Sequence, residues 1–91
     1  MPTRDPELES FLAVSRARLA PRTVESYRRD LEDFARRRAA PIGAATTEEI
    51  ESYLADLRAA GRSGSTLARR LAALRSFFRH QTLIGARRSA R

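Results

Sequence analysis

The sequence contains no cysteine, no lysine, no tryptophan and only one histidine among its 91 residues. Without cysteine it can form neither a disulfide nor a thiolate metal site, and a single histidine cannot assemble an imidazole cluster. No hydrophobic run approaches the roughly 18 apolar residues of a membrane span, and no signal-peptide segment follows the N-terminus. We therefore expect a cytoplasmic protein that needs no cofactor and no membrane.

Groups that would support catalysis are also scarce. No cysteine nucleophile or glycine-rich phosphate loop is present, and one histidine makes a Ser–His–Asp arrangement unconvincing. Asp30 and Asp33 are expected on the polar side of a helix beside arginines, and the pair Glu48 and Glu49 is explained by helix capping. The sequence therefore predicts a non-enzymatic domain.

Positive charge is abundant and unevenly placed. All 18 basic residues are arginine, against 11 acidic residues, and nine arginines follow the last acidic residue, Asp56. A guanidinium can donate two parallel hydrogen bonds to a phosphate or a guanine. Arginine in place of lysine is also what a GC-rich genome produces, so the location of the charge is the stronger signal. A cationic C-terminal third favours a polyanionic partner.

The spacing of hydrophobic residues predicts two helices in the first half of the chain. The first begins after Asp5, whose side chain can cap the free amides, with Pro6 in the first turn. Its apolar side is predicted to comprise Leu8, Phe11, Leu12 and Val14. The second runs from Pro21 to about Arg38. Its apolar stripe is predicted to comprise Val24, Tyr27, Leu31 and Phe34.

Two more helices are predicted in the second half, and no strand-like alternation occurs. Thr46 and Glu49 can form a capping box, and Gly61 fits a left-handed C-cap. The two apolar stripes are Ile50, Tyr53, Leu54 and Leu57, then Leu67, Leu71, Leu74 and Phe78. We expect the fourth helix to end near His80, with Gly85 as a definite stop. Residues 5–83 would then form one domain, and residues 84–91 an arginine-rich tail that is disordered or begins a linker.

The sides of the second and fourth helices opposite these stripes are the candidate binding surfaces. On the fourth helix this side comprises Arg62, Ser65, Arg69, Ala72, Ala73 and Ser76; on the second it comprises Arg22, Ser26, Arg29, Asp33 and Arg36. Small residues permit close approach to a groove, and arginines reach phosphates or base edges. A charged helix face is more often merely solvated. The best-placed phosphate contacts at helix N-termini are Arg22, Thr23, Ser65 and Thr66.

The aromatic residues occur at helical spacing, so we interpret them as core rather than as base-stacking groups. Phe77 lies at the edge of its stripe and is a candidate for packing on another domain. His80 is interpreted as a surface residue that complements the helix dipole.

The segment 23–34 carries a recognisable pattern: Thr23, then Tyr27 after three residues, then Arg29-Asp30-Leu31 and the aromatic Phe34. Related patterns follow at 50–54 and 65–78. Together they resemble the N-terminal SAM-like core-binding domain of Xer-type tyrosine recombinases and phage integrases. The resemblance covers roughly residues 5–83.

That resemblance implies an all-α fold, a four-helix orthogonal bundle that forms one half of a C-shaped clamp on double-stranded DNA. Helices two and four would face the major groove, and a separate domain would hold the catalytic residues. Full-length protomers would meet in a tetrameric synaptic complex, whereas the isolated domain would be monomeric. The DNA contacts expected from the resemblance are Arg22, Thr23, Ser26 and Arg29, then Ser65, Thr66, Arg69 and Arg70.

Two departures from the family pattern stand out. Ala20 replaces the usual capping Ser or Thr before helix two, and residues 83–88 replace the usual polar linker. Two alternatives to the recombinase interpretation stay open: a helical protein-interaction module, and another small helical DNA-binding regulator. About five phosphate contacts predict a slope near −4 to −5 for binding affinity against salt on logarithmic scales.

Overall fold

The computed structural model describes residues 5–38 and 40–89, with side chains through residue 85. This part of the chain contains no strand and has four α-helices: α1 (Pro6–Arg16), α2 (Pro21–Arg38), α3 (Thr47–Ala59) and α4 (Gly64–Ser89). One turn of 3-10 helix, Ile42–Ala44, lies between α2 and α3. None of these helices combines the length and the apolar character required to span a bilayer. The predicted all-α fold is confirmed.

Local signals in the sequence determine where α1 and α3 begin. Asp5 Oδ1 accepts hydrogen bonds from the amides of Glu7 and Leu8 at 3.0 and 3.4 Å. The Thr46 and Glu49 side chains each accept a hydrogen bond from the other residue's amide. Both predicted caps are confirmed. Each supplies an acceptor for first-turn amides that have no partner within the helix.

Asp5 also joins two distant elements, which the sequence did not indicate. Its second carboxylate oxygen, Oδ2, accepts a hydrogen bond from the amide of Ile42 at 3.0 Å. Both residues are buried. One side chain thereby satisfies amides at the start of α1 and in the 3-10 turn, and it fixes these two elements against each other.

The core forms where α4 packs against α1, α2 and α3. The predicted core residues that are buried are Leu8, Phe11, Leu12, Val24, Leu31, Phe34, Tyr53, Leu57 and Leu74. Those that pack against it while partly buried are Tyr27, Ile50, Leu54, Leu67 and Phe78. Val14 is exposed, so its predicted place on the apolar side is wrong. Ser15 points inward instead and donates a hydrogen bond to the Phe11 carbonyl at 2.8 Å.

The buried side of α4 is rotated from the predicted one. Ala73 and Phe77 are fully buried and His80 is buried, whereas the sequence placed Ala73 on the basic side, Phe77 at the edge and His80 at the surface. His80 Nε2 lies 3.5 Å from Ser10 Oγ on α1. Because α4 packs against three helices, more of its circumference is buried than a single stripe predicts. Ala73 fits this contact because a small side chain lets helices approach closely.

The predicted end of α4 near His80 is wrong, because the helix continues to Ser89. Gly85 is inside it and does not adopt the left-handed conformation that would stop it, whereas Gly61 has φ of 85° as predicted. Gln81 donates a hydrogen bond to Glu7 on α1, which holds this part of α4 against the bundle. The division of the chain at residue 83 stays a prediction, and residues 90 and 91 lie outside the described part.

Gly61→Ala is expected to destabilise the fold by about 1 kcal/mol or more, because an L-side chain is strained at positive φ. Gly85→Ala is the matched control: it lies in helical backbone, and no atom lies within 4 Å of the added Cβ. That change should stabilise by about 0.5–1 kcal/mol. Urea denaturation followed by circular dichroism measures both. Equal effects of the two substitutions would contradict the assigned backbone conformations.

Candidate nucleic-acid interface

A polar groove runs between α2 and α4, on the side where the two predicted surfaces meet. It is lined by Ser26, Arg29, Asp30, Glu32, Asp33, Arg36, Arg69 and Arg70. Four of the predicted contacts, Ser26, Arg29, Arg69 and Arg70, therefore lie together. The other five predicted contacts are outside this lining and lie in or beside the first turns of α2 and α4: Arg22, Thr23, Arg62, Ser65 and Thr66.

The predicted contacts differ in their accessibility. The exposed ones are Arg22, Arg29, Arg62, Ser65 and Arg69, and the partly buried ones are Thr23, Ser26, Thr66 and Arg70. Arg29 has 69% of its side chain exposed, and its closest carboxylate contact, to Glu25, is 4.0 Å long. Among the described side chains, no carboxylate lies within 4.0 Å of Arg22 or Arg62. Among the predicted contacts, these three arginines are thus the ones best able to meet a phosphate.

Three carboxylates of α2 line the groove, and two of them, Asp30 and Asp33, pair with arginines of α4. Asp30 was expected on the polar side of α2, but its side chain is only 4% exposed. It accepts hydrogen bonds from Arg69 Nε and Arg69 Nη2, both at 2.9 Å. Arg70 Nε lies 3.7 Å from the same carboxylate. A buried carboxylate requires this kind of pairing, because leaving it alone in a low-dielectric site is costly.

Asp33 completes a second pairing that joins three helices. Its Oδ2 accepts hydrogen bonds from Arg70 Nη1 at 2.6 Å and from the Tyr53 hydroxyl at 3.0 Å. Arg37 Nε donates to the same oxygen at 3.0 Å. Arg70 is only 14% exposed and also contacts the Tyr53 oxygen at 2.6 Å. We refer to Asp30, Asp33, Tyr53, Arg69 and Arg70 as the interhelical cluster.

Within the interhelical cluster, the charged forms of Asp33, Arg69 and Arg70 are favoured. Burial disfavours the charged forms of Asp33 and Arg70, but their hydrogen bonds outweigh it, so the pKa of Asp33 is lowered and that of Arg70 is raised. The hydrogen bond to Asp30 raises the pKa of Arg69. Burial raises the pKa of Tyr53, which keeps its hydroxyl neutral. Arg69 and Arg70 thus each have a carboxylate at short range, Asp30 at 2.9 Å and Asp33 at 2.6 Å.

The N-terminus of α4 is capped by Ser63, the residue directly before the helix. Ser63 Oγ accepts a hydrogen bond from the Thr66 amide at 3.2 Å and donates one to Thr66 Oγ1 at 3.1 Å. The Thr66 amide therefore already has an acceptor, and the Thr66 hydroxyl is the donor of this residue that remains available. Ala20, in contrast, has no side-chain acceptor for the first amides of α2, which leaves those amides for an external anion.

The cluster was missed because helical periodicity assigns charged residues to the solvent. Asp30 lies directly before the buried Leu31, at the border of the apolar stripe. The only sequence signal was an acidic residue at that border together with the adjacent arginines Arg69 and Arg70 on another helix. Pairing them required knowledge of how α2 and α4 pack.

A family model and individual relatives of this chain point to the same kind of protein. Residues 8–83 match the family described as phage integrase, N-terminal SAM-like domain. The chain is 40% identical over 77 residues to tyrosine recombinase XerD of Rhizobium meliloti, a match that covers 79% of the chain and 25% of that protein. It is 43% identical over 81 residues to tyrosine recombinase XerC of Methylobacterium nodulans, covering 78% and 25%.

A third relative, tyrosine recombinase XerD of Caulobacter vibrioides, is 44% identical over 72 residues, covering 76% of the chain and 23% of that protein. The chain thus spans about a quarter of the length of these curated relatives. No solved structure matches it.

Proposed function

The chain belongs to the family of phage-integrase N-terminal SAM-like domains, and we propose that it is the non-catalytic, DNA-binding domain of a tyrosine recombinase. The observation that carries the proposal is the position of Arg22, Arg29 and Arg62. They are exposed, they lie on or beside α2 and α4, and the bundle binds none of them tightly. Recombination chemistry would belong to the three quarters of the relatives' length that this chain does not match.

Duplex DNA suits this surface in shape and in charge. A major groove about 12 Å wide admits an α-helix. The exposed arginines and the first-turn amides of α2 would contact phosphates, while Ser26 and the groove between α2 and α4 would approach the bases. Major-groove clamping with a second domain, assembly of full-length protomers into a tetramer, and a monomeric isolated domain are parts of this proposal. A DNA partner also implies a cytoplasmic location, at the nucleoid.

The number of predicted contact arginines that are exposed and not closely paired with a carboxylate predicts how binding depends on salt. If Arg22, Arg29 and Arg62 each neutralise one phosphate, a plot of log affinity against log salt has a slope near −3. A slope of −4 to −5 would mean that Arg69 and Arg70 also leave their carboxylates for phosphates. Fluorescence anisotropy with a labelled random duplex, titrated at several salt concentrations, measures the slope.

Arg22→Ala and Arg62→Ala are each expected to make that slope shallower by about 1 and to weaken binding to all sequences. Arg79→Ala is the control, since this exposed arginine lies beside the separate groove between α3 and α4. Its slope should equal that of the wild type. Absence of duplex binding at low salt would refute the proposal and favour the protein-interaction module.

A further inference from the structure

Arg69 is the exposed member of a pair whose other member is buried. Its side chain is 48% exposed, whereas that of Asp30 is 4% exposed. Two parallel hydrogen bonds of 2.9 Å connect them, from Nε and from Nη2. A bidentate contact of this kind fixes the plane of a guanidinium as well as its position. Arg69 is therefore held in one orientation at the edge of the groove.

The hydrogen bonds to Asp30 leave a defined set of donors free. A guanidinium has five N–H groups. Asp30 uses the one on Nε and one of the two on Nη2, so both on Nη1 and the second on Nη2 remain. One on Nη1 and the remaining one on Nη2 lie side by side on the outer edge of the guanidinium, away from Asp30, and the other on Nη1 lies on the Cδ side. This outer edge still offers two parallel donors, the arrangement that fits O6 and N7 of a guanine in the major groove.

Arg69 and its neighbour in the same groove, Arg29, differ in how closely a carboxylate pairs with each of them. The buried carboxylate cancels the charge of Arg69, which weakens its attraction to a phosphate but leaves its hydrogen-bonding edge intact. Arg29 lines the same groove, is 69% exposed and lies 4.0 Å from its closest carboxylate. Arg29 thus has an exposed, weakly paired charge suited to the backbone, and Arg69 has a fixed donor edge beside a carboxylate, suited to a base.

We propose that Asp30 is a positioning residue that prevents Arg69 from serving as a phosphate contact and holds its outer edge ready to read a guanine. This inference rests on the proposed function, since it assumes that the groove between α2 and α4 faces duplex DNA. It assigns sequence discrimination to an acidic residue that itself touches no nucleotide.

Selection of bound duplexes from a randomised pool tests the inference, with the 91-residue chain at low salt as the binding protein. The wild type is expected to enrich guanine at one position. Asp30→Asn should lose that preference, because the amide cannot accept both guanidinium hydrogen bonds. The same variant should bind random duplex more tightly, with a salt slope steeper by about 1, because Arg69 is released to a phosphate.

Arg69→Lys is the second variant, and it retains the charge while removing the planar donor edge. It should lose the guanine preference and keep the α2–α4 groove otherwise unchanged. If Asp30→Asn fails to fold, as monitored by circular dichroism, Arg69→Lys decides the inference alone. A variant in which only stability suffers would not gain affinity for random duplex, so the gain separates positioning from a purely structural role.

Three results would overturn the inference. They are a wild type that binds duplex without enriching guanine, a folded Asp30→Asn variant with the wild-type preference or slope, and an Arg69→Lys variant that keeps the preference. The first leaves the proposed function standing, because binding is still observed. Failure of the wild type to bind any duplex would instead refute the proposed function, and this inference with it.

Discussion

Phe77→Ala is expected to destabilise the domain by about 3–5 kcal/mol, the usual cost of truncating a buried phenylalanine. Phe77 is fully buried on α4. Its ring meets that of Phe11 on α1 edge-on, with the centroids 5.7 Å apart. Because small domains have total stabilities of about 5–15 kcal/mol, this loss is a large fraction of the total. Urea denaturation followed by circular dichroism measures it.

Leu83→Ala provides the matched control for Phe77. Leu83 is on the same helix, but 55% of it is exposed, and surface substitutions usually change stability by less than about 0.5 kcal/mol. A small loss for Phe77→Ala, comparable to that of Leu83→Ala, would show that Phe77 is not in the core of this domain. Such a result would favour the alternative offered by the sequence, in which Phe77 packs on another domain.

The second large effect is expected at Asp33. Asp33→Ala removes the carboxylate that Arg70 and Tyr53 share and leaves the 14%-exposed Arg70 with only Asp30 opposite it, at 3.7 Å. Removing one partner of a buried ion pair costs about 3–5 kcal/mol, and the partial exposure of Asp33 brings the expected loss to about 2–3 kcal/mol. Urea denaturation at neutral pH again measures the loss.

Glu32→Ala is the control for Asp33, since the two carboxylates are adjacent on α2. Glu32 binds Arg28 within the same helix, and such pairs contribute only about 0.3–0.5 kcal/mol. A double-mutant cycle of Asp33→Ala with Arg70→Ala should show a positive coupling free energy, because each single substitution leaves the other charged group without its partner. Equal losses for Asp33→Ala and Glu32→Ala would contradict the assigned contacts.

The dependence of stability on acidic pH should report on the carboxylate of Asp33 as well. Hydrogen bonds from Tyr53 and Arg70 outweigh partial burial and hold the pKa of Asp33 below its ordinary value. A carboxyl with a lowered folded pKa contributes stability above its unfolded pKa, near ~3.9 for aspartate, and loses it as the pH falls through the folded value. The free energy of unfolding should therefore decline between pH 5 and about pH 2. Asp33→Asn should flatten that decline, and an unchanged decline would count against the contact.

Helix positions and most of the core followed from local sequence patterns. The caps at Asp5 and Thr46 and the left-handed Gly61 were predicted correctly, because each depends on residues within one turn of a helix end. Apolar spacing identified the buried apolar residues Val24, Leu31 and Phe34 of α2 and Tyr53 and Leu57 of α3, where one side of the helix faces the bundle. Such features are local, so a short segment of the sequence contains the information that determines them.

The inward side of α4 did not follow from its own periodicity. The most buried positions of α4 are Ala73, Leu74 and Phe77, and of these only Leu74 belongs to the predicted stripe. Three neighbouring helices contact α4, and each adds a buried sector that a single-stripe analysis does not contain. The same contacts keep the helix continuous through Gly85, where propensity alone predicted a stop.

By itself, the sequence determined that the chain is helical, where α1, α2 and α3 begin, that its arginines concentrate on α2 and α4, and which family it resembles. Only the tertiary structure decided which of those arginines carry free charge. Asp30 and Asp33 lie 39 and 37 residues from Arg69 and Arg70, respectively. A charge at a helix surface is neutralised or free according to what the next helix places within about 4 Å. That distance is a property of packing, which no residue's own neighbours along the chain can specify.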